Sequence, residues 1–267
     1  VNDKYALIKQ PKFESFKQNK SKIKIGYFSP DFRKHPVATL SAEIYELHDK
    51  DNFEIHGFYF GPDTNDEMNF RIRAGVDYFH DISSLSNEDT VNLTRGLGID
   101  IAVDLTGFTE LNRTAIFAMR VAPIQVNYIG FLGTMGSNFH DYILADLTII
   151  PKKNRKYYSE KIAYLSSYQA NDSKRIHPEM DIKRQDIGLP EKSFIFCCFN
   201  NTYKITPEIF DSWATILKAV KGSIMFIYVD NELAKINLKK EISSRKVDPS
   251  RLFFGEYLPF SDYLARY

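Results

Sequence analysis

Residues 195–204 read IFCCFNNTYK, and residues 205–222 continue as ITPEIFDSWATILKAVKG. The apolar run predicts a short strand that is buried on both faces, as in a parallel sheet. Thr206 is a suitable N-cap and Pro207 suits the first helical turn, so a helix is predicted to begin directly after the polar loop. A strand, a polar loop and a helix N-terminus together favour anion binding, because unpaired backbone N–H groups point out of the loop. This stretch therefore predicts an α/β fold with an anion site.

Lys204 lies just before this helix start, where its ammonium group would suit a bound diphosphate. The alternative is a solvated lysine in an ordinary strand-to-helix loop, and the local pattern taken alone favours that alternative. The helix is expected to turn its apolar residues inward, and these recur at helical spacing: Ile209, Trp213, Ile216, Leu217 and Val220.

Strand and helix patterns alternate through most of the chain, as in a parallel, doubly wound sheet with right-handed crossovers. The first series has predicted strands at 23–28, 53–60, 78–82, 99–105, 124–129 and 142–145, and helices at 38–48, 66–74, 86–97 and 114–120. The second series has strands at 194–199, 224–229 and 252–254, and helices at 206–220 and 231–246.

These two series predict two Rossmann-like lobes. We expect a lysine-rich linker or arm at 1–21, an N-terminal lobe at 22–150, an inter-lobe connection at 151–190 and a partial C-terminal lobe at 191–267. Three strands are few for a complete sheet, so the second lobe is predicted to be incomplete, with a last helix that opens at Ser261.

Composition sets limits on partners and location. The 267 residues are 43% hydrophobic and 26% charged, with a net charge of +1, so no charge excess indicates nucleic acid or a membrane surface, and neither is expected as a partner. The two cysteines, Cys197 and Cys198, are adjacent in a predicted buried strand and cannot form a disulfide framework. We therefore expect a reducing, cytoplasmic location. The histidines are scattered without ligand spacing, so no metal site is predicted.

Ligands of such sheets bind outside the carboxyl ends of the strands, so the loops after strands are the places to search for chemistry. The first loop, 29–36, reads SPDFRKHP. His35 is a candidate general base or phosphate contact, with Asp31 as its carboxylate neighbour. The alternative is a turn in which Asp31 caps and His35 is simply packed.

The second loop follows the predicted strand 99–105. Asp100 and Asp104 are four residues apart, so on one strand their side chains would share a face. A buried carboxylate at Asp104 is costly unless it is functional or paired, and Arg113 is the expected partner. Thr109 lies in the same loop, where a ligand could approach the backbone.

The third loop, 130–136, reads GFLGTMG. Its glycines would permit a tight turn close to a ligand, although the spacing is neither a dinucleotide fingerprint nor a P-loop. The alternative is a flexible loop without a ligand.

Six ordered blocks carry a family resemblance, and they cover the chain from about residue 22 onward: GYFSPDFRKHPV (26–37), GIDIAVDLTGFTELNR (98–113), RVAPIQVNYIGFLGTMGSNFHDYILAD (120–146), YYSEKIAYL (157–165), YQANDSKR (168–175) and FCCFNNTYKITPEIFDSWATIL (196–217). Together they resemble the catalytic region of O-linked N-acetylglucosamine transferases, especially the bacterial branch and the plant SPINDLY proteins.

The resemblance implies a GT-B fold of two Rossmann-like lobes with the active site in the cleft. It implies transfer of a sugar, typically from UDP-GlcNAc, to Ser or Thr hydroxyls of proteins, with inversion and without a metal cofactor. SPINDLY-type members use GDP-fucose, so the donor stays open between these nucleotide sugars. The resemblance also implies tetratricopeptide repeats before this region, which dock protein acceptors.

Residue roles follow from the same resemblance. Lys204 would neutralise the donor diphosphate, and His35 would lie near the reacting centre as a base or sugar contact. The remaining donor-site residues implied are Asn200 and Asn201 in the Lys204 loop, Gly133, Thr134 and Gly136 in the glycine-rich loop, and Thr109, Asp100 and Asp104 along the cleft. Asp100 or Asp104 would assist proton removal, and the resemblance does not choose between these bases.

In relatives a further donor loop of His-Thr-Thr type should follow the position of Tyr267. The chain is therefore interpreted as a C-terminally truncated catalytic region, with weak or no activity expected of it alone. Two other functions stay open: a GT-B transferase for a small glycan or lipid acceptor, and a non-catalytic scaffold remnant that retains the lobe for interaction.

Overall fold

The structure is a computed structural model that describes residues 2–5, 8, 21–170, 172–174, 182–258, 263 and 265. The chain divides into two compact units, Val1–Lys174 and Arg175–Tyr267. Most of the predicted arm at 1–21 and the start of the helix predicted at Ser261 lie outside the described residues.

The first unit contains a seven-stranded parallel sheet with the strand order β3-β2-β1-β4-β5-β6-β7. Its strands are β1 (Ile23–Ser29), β2 (Phe53–Tyr59), β3 (Tyr78–Asp81), β4 (Ile101–Asp104), β5 (Ile124–Asn127), β6 (Tyr142–Ala145) and β7 (Lys161–Tyr164). Its helices are α1 (Asn2–Tyr5), α2 (Pro36–Thr39), α3 (Ala42–Leu47), α4 (Glu67–Gly75), α5 (Asn87–Leu97) and α6 (Thr114–Ala118). The predicted α/β fold is confirmed.

Both faces of this sheet are buried, because neighbouring residues of a strand pack into different cores. On β1, Tyr27 joins the core that includes Tyr45 of α3 and Ile72 of α4. The next residue, Phe28, joins the core that includes Val91 of α5 and Phe117 of α6. The alternation of side chains along a strand thus places α3 and α4 on one face and α5 and α6 on the other.

Two expectations for the first unit are wrong. The helix predicted at 38–48 is broken into α2 and α3, and the Ser41 hydroxyl at the break donates to the Val37 carbonyl oxygen at 2.7 Å. Leu47, the last residue of α3, is 74% exposed. The predicted inter-lobe connection also begins too early, since β7 pairs with β6 and extends the first unit to Lys174.

The second unit contains a three-stranded parallel sheet with the order β10-β9-β8. Its strands are β8 (Ile195–Cys198), β9 (Ile224–Tyr228) and β10 (Leu252–Gly255), and its helices are α7 (Pro207–Ala219) and α8 (Glu232–Ser244). Thr206 caps α7 as predicted, because its side chain accepts a hydrogen bond from the Ile209 N–H.

Burial in the second unit differs from the sequence-based expectation. The β8 strand is not buried on both faces, since it lies at the sheet edge and Cys197 is exposed. On α7 the buried residues are Phe210, Ala214 and Leu217, whereas the expected inward residues Ile209, Ile216 and Val220 are 42%, 41% and 38% exposed. The helix carries apolar residues on two adjacent stripes, so spacing alone did not identify the buried one.

Candidate active site

The strand order of the first unit indicates where a ligand binds. The order reverses direction between β1 and β4, and such a switch point leaves a crevice outside the carboxyl ends of the two strands. The loop after β1 contains Asp31 and His35, and the loop after β4 contains Thr106 and Thr109. Since β5 lies next to β4, the glycine-rich loop 130–136 follows at the same edge. The three candidate loops of this unit are thereby neighbours.

The last two of these loops are in direct contact. Gly107 has a φ of +57°, and a Cβ at this position would overlap the Phe131 side chain. The rings of Phe108 and Phe131 meet edge to face with their centroids 5.4 Å apart. A Cβ at Gly130 would overlap the Leu105 carbonyl oxygen. The glycines therefore allow one loop to approach the other, which is the use of glycine that such close contacts require.

His35 begins α2 and stands between two partners. Its Nδ1 lies 3.3 Å from the Val37 N–H nitrogen, from which it accepts a hydrogen bond as N-cap, and 3.4 Å from Asp31 Oδ2. Accepting from Val37 requires an unprotonated Nδ1, whereas donating to Asp31 requires a protonated Nδ1. When Nδ1 carries the proton, the other ring nitrogen, Nε2, can accept one. The hydrogen bond that the structure shows is the one from Val37, so the Asp31 carboxylate would have to draw the proton to Nδ1 before His35 could act as a general base.

Burial sets the protonation of this pair. Desolvation lowers the pKa of His35, against the nearby Asp31 charge, which raises it. The same burial raises the pKa of Asp31, and His35 and Arg33 oppose that shift. Arg33 Nη2 lies 3.4 Å from Asp31 Oδ1. A histidine with a lowered pKa is neutral near pH 7, which is the form that accepts a proton.

Asp104 and Asp100 lie at opposite ends of β4. Asp104 is its last residue, whereas Asp100 precedes its first and accepts a hydrogen bond from the Lys24 N–H at 3.0 Å near the start of β1. Four steps along an extended strand separate them by about 13 Å. The structure therefore does not bring Asp100 to the edge that carries His35 and Asp104, and the two carboxylates do not form a pair.

The partner expected for Asp104 is also wrong. Arg113 instead donates to Asn87 Oδ1 at 2.9 Å and to the carbonyl oxygens of Ile82 and Leu85 at 3.0 and 2.9 Å. Asp104 Oδ2 lies 3.2 Å from His140 Nε2, and both side chains are buried. Sequence reasoning missed His140 because 36 residues separate it from Asp104. Its one local signal is a polar residue two positions before the apolar strand β6.

The glycine-rich loop is held by a buried carboxylate. Glu160 is 5% exposed. Its Oε1 accepts from the Met135 N–H at 2.6 Å, and its Oε2 accepts from the Thr134 hydroxyl at 2.7 Å. Thr134 Oγ1 in turn accepts from the Gly136 N–H at 3.0 Å. The loop is therefore ordered by specific hydrogen bonds, which argues against the alternative of a flexible segment.

Gly133 and Thr109 are placed by their own loops. The Gly133 carbonyl oxygen lies 3.4 Å from the side-chain nitrogen of Asn127, the last residue of β5. Thr109 is exposed, and its hydroxyl donates to the Thr106 carbonyl oxygen at 2.8 Å. Two buried oxygens nearby, Thr106 Oγ1 and Asn127 Oδ1, have no hydrogen-bond partner among the described residues. Hydrogen bonding at this polar edge is therefore incomplete among the described residues.

The remaining candidates lie in the second unit, between β8 and α7. Lys204 ends a short 3₁₀ turn, and its exposed ammonium group donates to Asn200 Oδ1 at 3.3 Å. Asn201 precedes the turn and accepts from the Lys204 N–H at 3.0 Å. The turn places a cation and two amides next to the N-terminus of a 13-residue helix. That combination attracts a phosphate group.

Two further properties concern metals and membranes. In the described ranges, no three His, Cys, Asp or Glu side chains are grouped so that they could hold a metal ion. Within the same residues, no helix has the length and apolar character needed to cross a bilayer.

Comparison with known proteins identifies the family. A model described as glycosyl transferase family 41 matches residues 2–183 and 170–266, which together are almost the whole chain. The chain belongs to glycosyl transferase family 41. The resemblance drawn from the six sequence blocks is thereby confirmed.

Curated relatives in the family carry transferase names. The Arabidopsis thaliana protein named probable UDP-N-acetylglucosamine–peptide N-acetylglucosaminyltransferase SEC is 34% identical over 251 residues, which are 92% of this chain and 26% of that protein. The Oryza sativa protein that carries the same probable activity and the name SPINDLY is 31% identical over 208 residues, 76% of this chain and 22% of that protein. The chain thus spans about a quarter of the length of these relatives.

A solved structure supports the same family. An O-GlcNAc transferase mutant from Thermobaculum terrenum superposes with a TM-score of 0.82 at 28% sequence identity, over 91% of this chain and 46% of that chain. The family 41 chain therefore shares the fold of a transferase whose own chain is about twice as long.

Proposed function

We propose that the protein containing this chain transfers N-acetylglucosamine from UDP-GlcNAc to Ser and Thr hydroxyls of proteins, with inversion at the anomeric carbon. The observation that carries this proposal is the 34% identity to a relative named as such a transferase, which extends over 92% of the chain. The second support is the polar edge at the β1–β4 switch point, where parallel sheets of this kind bind their ligands.

Lys204 is proposed to stabilise the leaving diphosphate. Negative charge grows on the diphosphate as its bond to the sugar breaks, and a fixed cation with helix-end amides stabilises that charge. Asn200 holds the Lys204 ammonium group at 3.3 Å, and Asn201 shapes the turn, so both are proposed as donor-loop residues. No metal cofactor is proposed, because the ammonium group would supply the positive charge that the leaving group needs.

His35 is proposed to take the proton from the acceptor hydroxyl. The nucleophilic oxygen must lose its proton as it attacks the anomeric carbon, and a neutral imidazole accepts it through Nε2. Asp31 would hold the Nδ1–H tautomer and stabilise the imidazolium that forms. Gly133, Thr134, Gly136 and Thr109 are proposed to contact the donor from the neighbouring loops.

The acceptor, the cellular location and the neighbouring repeats are proposed as well. The acceptor is proposed to be a protein, as the names of the relatives state for those proteins. A cytoplasmic location and tetratricopeptide repeats before the catalytic region are proposed from the family resemblance. The sequence of the complete gene product tests the repeats, and imaging of the tagged protein tests the location.

The test is turnover by the complete protein. It is incubated with UDP-GlcNAc, UDP-glucose or GDP-fucose and a lysate of its own organism, and the modified products are identified by mass spectrometry. We expect N-acetylhexosamine on Ser and Thr of proteins, and its loss in Lys204→Ala. Deoxyhexose on proteins would show that the donor is GDP-fucose and not UDP-GlcNAc. Sugar on a glycan or lipid would show that the acceptor is not a protein. No transfer from any donor would indicate a scaffold.

A further inference from the structure

Three buried polar side chains, Asp104, His140 and Ser137, form a hydrogen-bonded relay beside the loops of the candidate site. Asp104 Oδ2 is 3.2 Å from His140 Nε2, and His140 Nδ1 is 3.0 Å from the Ser137 hydroxyl oxygen. The Asp104 and Ser137 residues are 2% and 3% exposed, and the His140 residue is also 3% exposed. Because the serine is buried, its hydroxyl is inaccessible to a substrate, so these residues are not a nucleophilic triad.

The hydrogen bonds of the three side chains can all be made when Ser137 donates to His140 and His140 donates to Asp104. Asp104 Oδ1 accepts from the N–H groups of Thr106 and Gly107 at 2.9 and 3.0 Å. Ser137 Oγ accepts from the His140 N–H at 3.3 Å, which leaves its own hydrogen to donate to His140 Nδ1. A neutral imidazole with its proton on Nε2 then donates to Asp104. In this arrangement every polar side-chain atom of Asp104, His140 and Ser137 has a hydrogen-bond partner.

These bonds join two loops of the candidate site. Thr106 and Gly107 begin the loop after β4, and Ser137 directly follows the glycine-rich loop 130–136. Asp104 thus touches both loops, one through backbone amides and the other through His140. Both of its oxygens are occupied, and the carboxylate is buried, so an acceptor hydroxyl has no direct approach to it.

We propose that Asp104 is a positioning residue rather than the base of the transfer reaction, and that it acts through His140 and Ser137 to fix the two loops. The inference rests on the proposed transfer function and assigns it a buried relay that neither the family match nor the names of the relatives supply. Loop geometry matters because a displacement of about 1 Å can cost about 100-fold in rate.

Asp104→Asn and Asp104→Ala separate positioning from proton transfer. The asparagine Oδ1 still accepts from Thr106 and Gly107, and its Nδ2 donates to His140 Nε2 once the imidazole proton moves to Nδ1. We expect Asp104→Asn to keep kcat/KM within about tenfold of the wild type and Asp104→Ala to lose about 100-fold. The acidic limb of the pH profile is expected to be the same in Asp104→Asn and wild type, because the carboxylate takes no proton from substrate.

His140→Phe and Ser137→Ala are the matched pair for the rest of the relay. Phenylalanine keeps a ring but leaves Asp104 Oδ2 without its partner, so a loss similar to Asp104→Ala is expected. Ser137→Ala removes only the outer hydroxyl, and a smaller loss is expected. Hydrogen exchange in peptides that cover 104–109 and 130–140 should accelerate together in Asp104→Ala and His140→Phe, and should be unchanged in Asp104→Asn.

All measurements use the complete protein. The inference is overturned if Asp104→Asn is as inactive as Asp104→Ala while both loops keep wild-type exchange, because the charge itself would then act in the reaction. It is equally overturned if exchange in the two loops does not respond to Asp104→Ala or His140→Phe. If the wild type transfers no sugar, the proposed function fails, and the exchange experiment still decides whether the relay couples the loops.

Discussion

His35 shows how one side chain is given its role by its neighbours. Its Nδ1 has the Val37 N–H nitrogen at 3.3 Å and Asp31 Oδ2 at 3.4 Å, and the two contacts select opposite tautomers. Burial lowers its pKa and the Asp31 charge raises it. Burial therefore sets the direction of the His35 pKa shift, and Asp31 exerts an opposing control on its size, which the sequence motif alone showed only as a nearby carboxylate.

This control predicts a shift in pH dependence. As the base, His35 must be neutral, so kcat/KM should fall as pH drops through its pKa, which burial places below the usual value of about 6.5. Asp31→Asn removes a charge that raises this pKa, so the acidic limb should move to lower pH. His35→Gln should lose most activity and the limb itself. An acidic limb that stays in place in Asp31→Asn would contradict the pairing.

At the scale of elements, the carboxylate of Glu160 orders the glycine-rich loop between β5 and β6. Thr134 Oγ1 accepts from the N–H groups of Gly136 and Ser159 at 3.0 and 3.2 Å, so its hydrogen must point to Glu160. Glu160 also accepts from the Met135 N–H at 2.6 Å. Glu160 must therefore accept at both of its carboxylate oxygens, from the Thr134 hydroxyl and from the Met135 N–H.

Glu160→Gln is therefore expected to disturb the loop although it changes the shape of the side chain very little. Either orientation of the amide places an NH₂ group against one of the two donors, a cost comparable with losing a charge-assisted hydrogen bond. We expect the KM for the donor to rise about tenfold with kcat less affected, measured by steady-state kinetics. Ser159→Ala is the control, and a donor KM equal to that of wild type in Glu160→Gln would refute the role of the loop.

The elements also show what the sequence could predict. The capping signal at Thr206 was reliable, because its side chain accepts from the Ile209 N–H. The break after α2 was not predicted, because a serine that bonds the preceding helical turn looks like any polar residue on a helix. The orientation of α7 was wrong for a related reason, since tertiary packing chose between two apolar stripes.

At the scale of the whole molecule, strand order decides which loops meet. The alternation of strand and helix patterns predicted a parallel sheet, but the switch point between β1 and β4 depends on which strands pair over long distances in the sequence. The same is true of the Asp104–His140 contact, which joins residues 36 positions apart. The sequence predicted most of the candidate residues at the carboxyl edge of the sheet. Only the fold showed that Asp104 lies at this edge and Asp100 at the opposite end of β4.

A second long-range contact closes the first unit. Arg71 of α4 donates to both oxygens of Asp172, at 2.6 and 2.9 Å, and to Glu46 of α3 at 2.9 Å. Lys174 also reaches Glu46, at 2.7 Å. The end of the unit is thereby tied to two helices on one face of the sheet.

The two cations of this cluster should differ in their contribution. Arg71→Met removes a bidentate pair that is mostly shielded from solvent and should lower the free energy of unfolding by about 2 kcal/mol. Lys174→Met, at a side chain that is 61% exposed, should cost less than about 0.5 kcal/mol. Denaturant-dependent hydrogen exchange of the β1 and β2 peptides measures both, and equal effects would argue against Arg71 as the anchor.

For this family 41 chain we propose that Lys204 binds the diphosphate of a nucleotide sugar. The most direct measurement is calorimetric titration of the complete protein with UDP-GlcNAc, UDP-glucose and GDP-fucose, in the wild type and in Lys204→Ala. We predict binding of UDP-GlcNAc in preference to the other two, weakened about 100-fold in Lys204→Ala by loss of a charge-assisted contact to phosphate. Equal binding by the two proteins, or no binding of any donor, would contradict this role of Lys204.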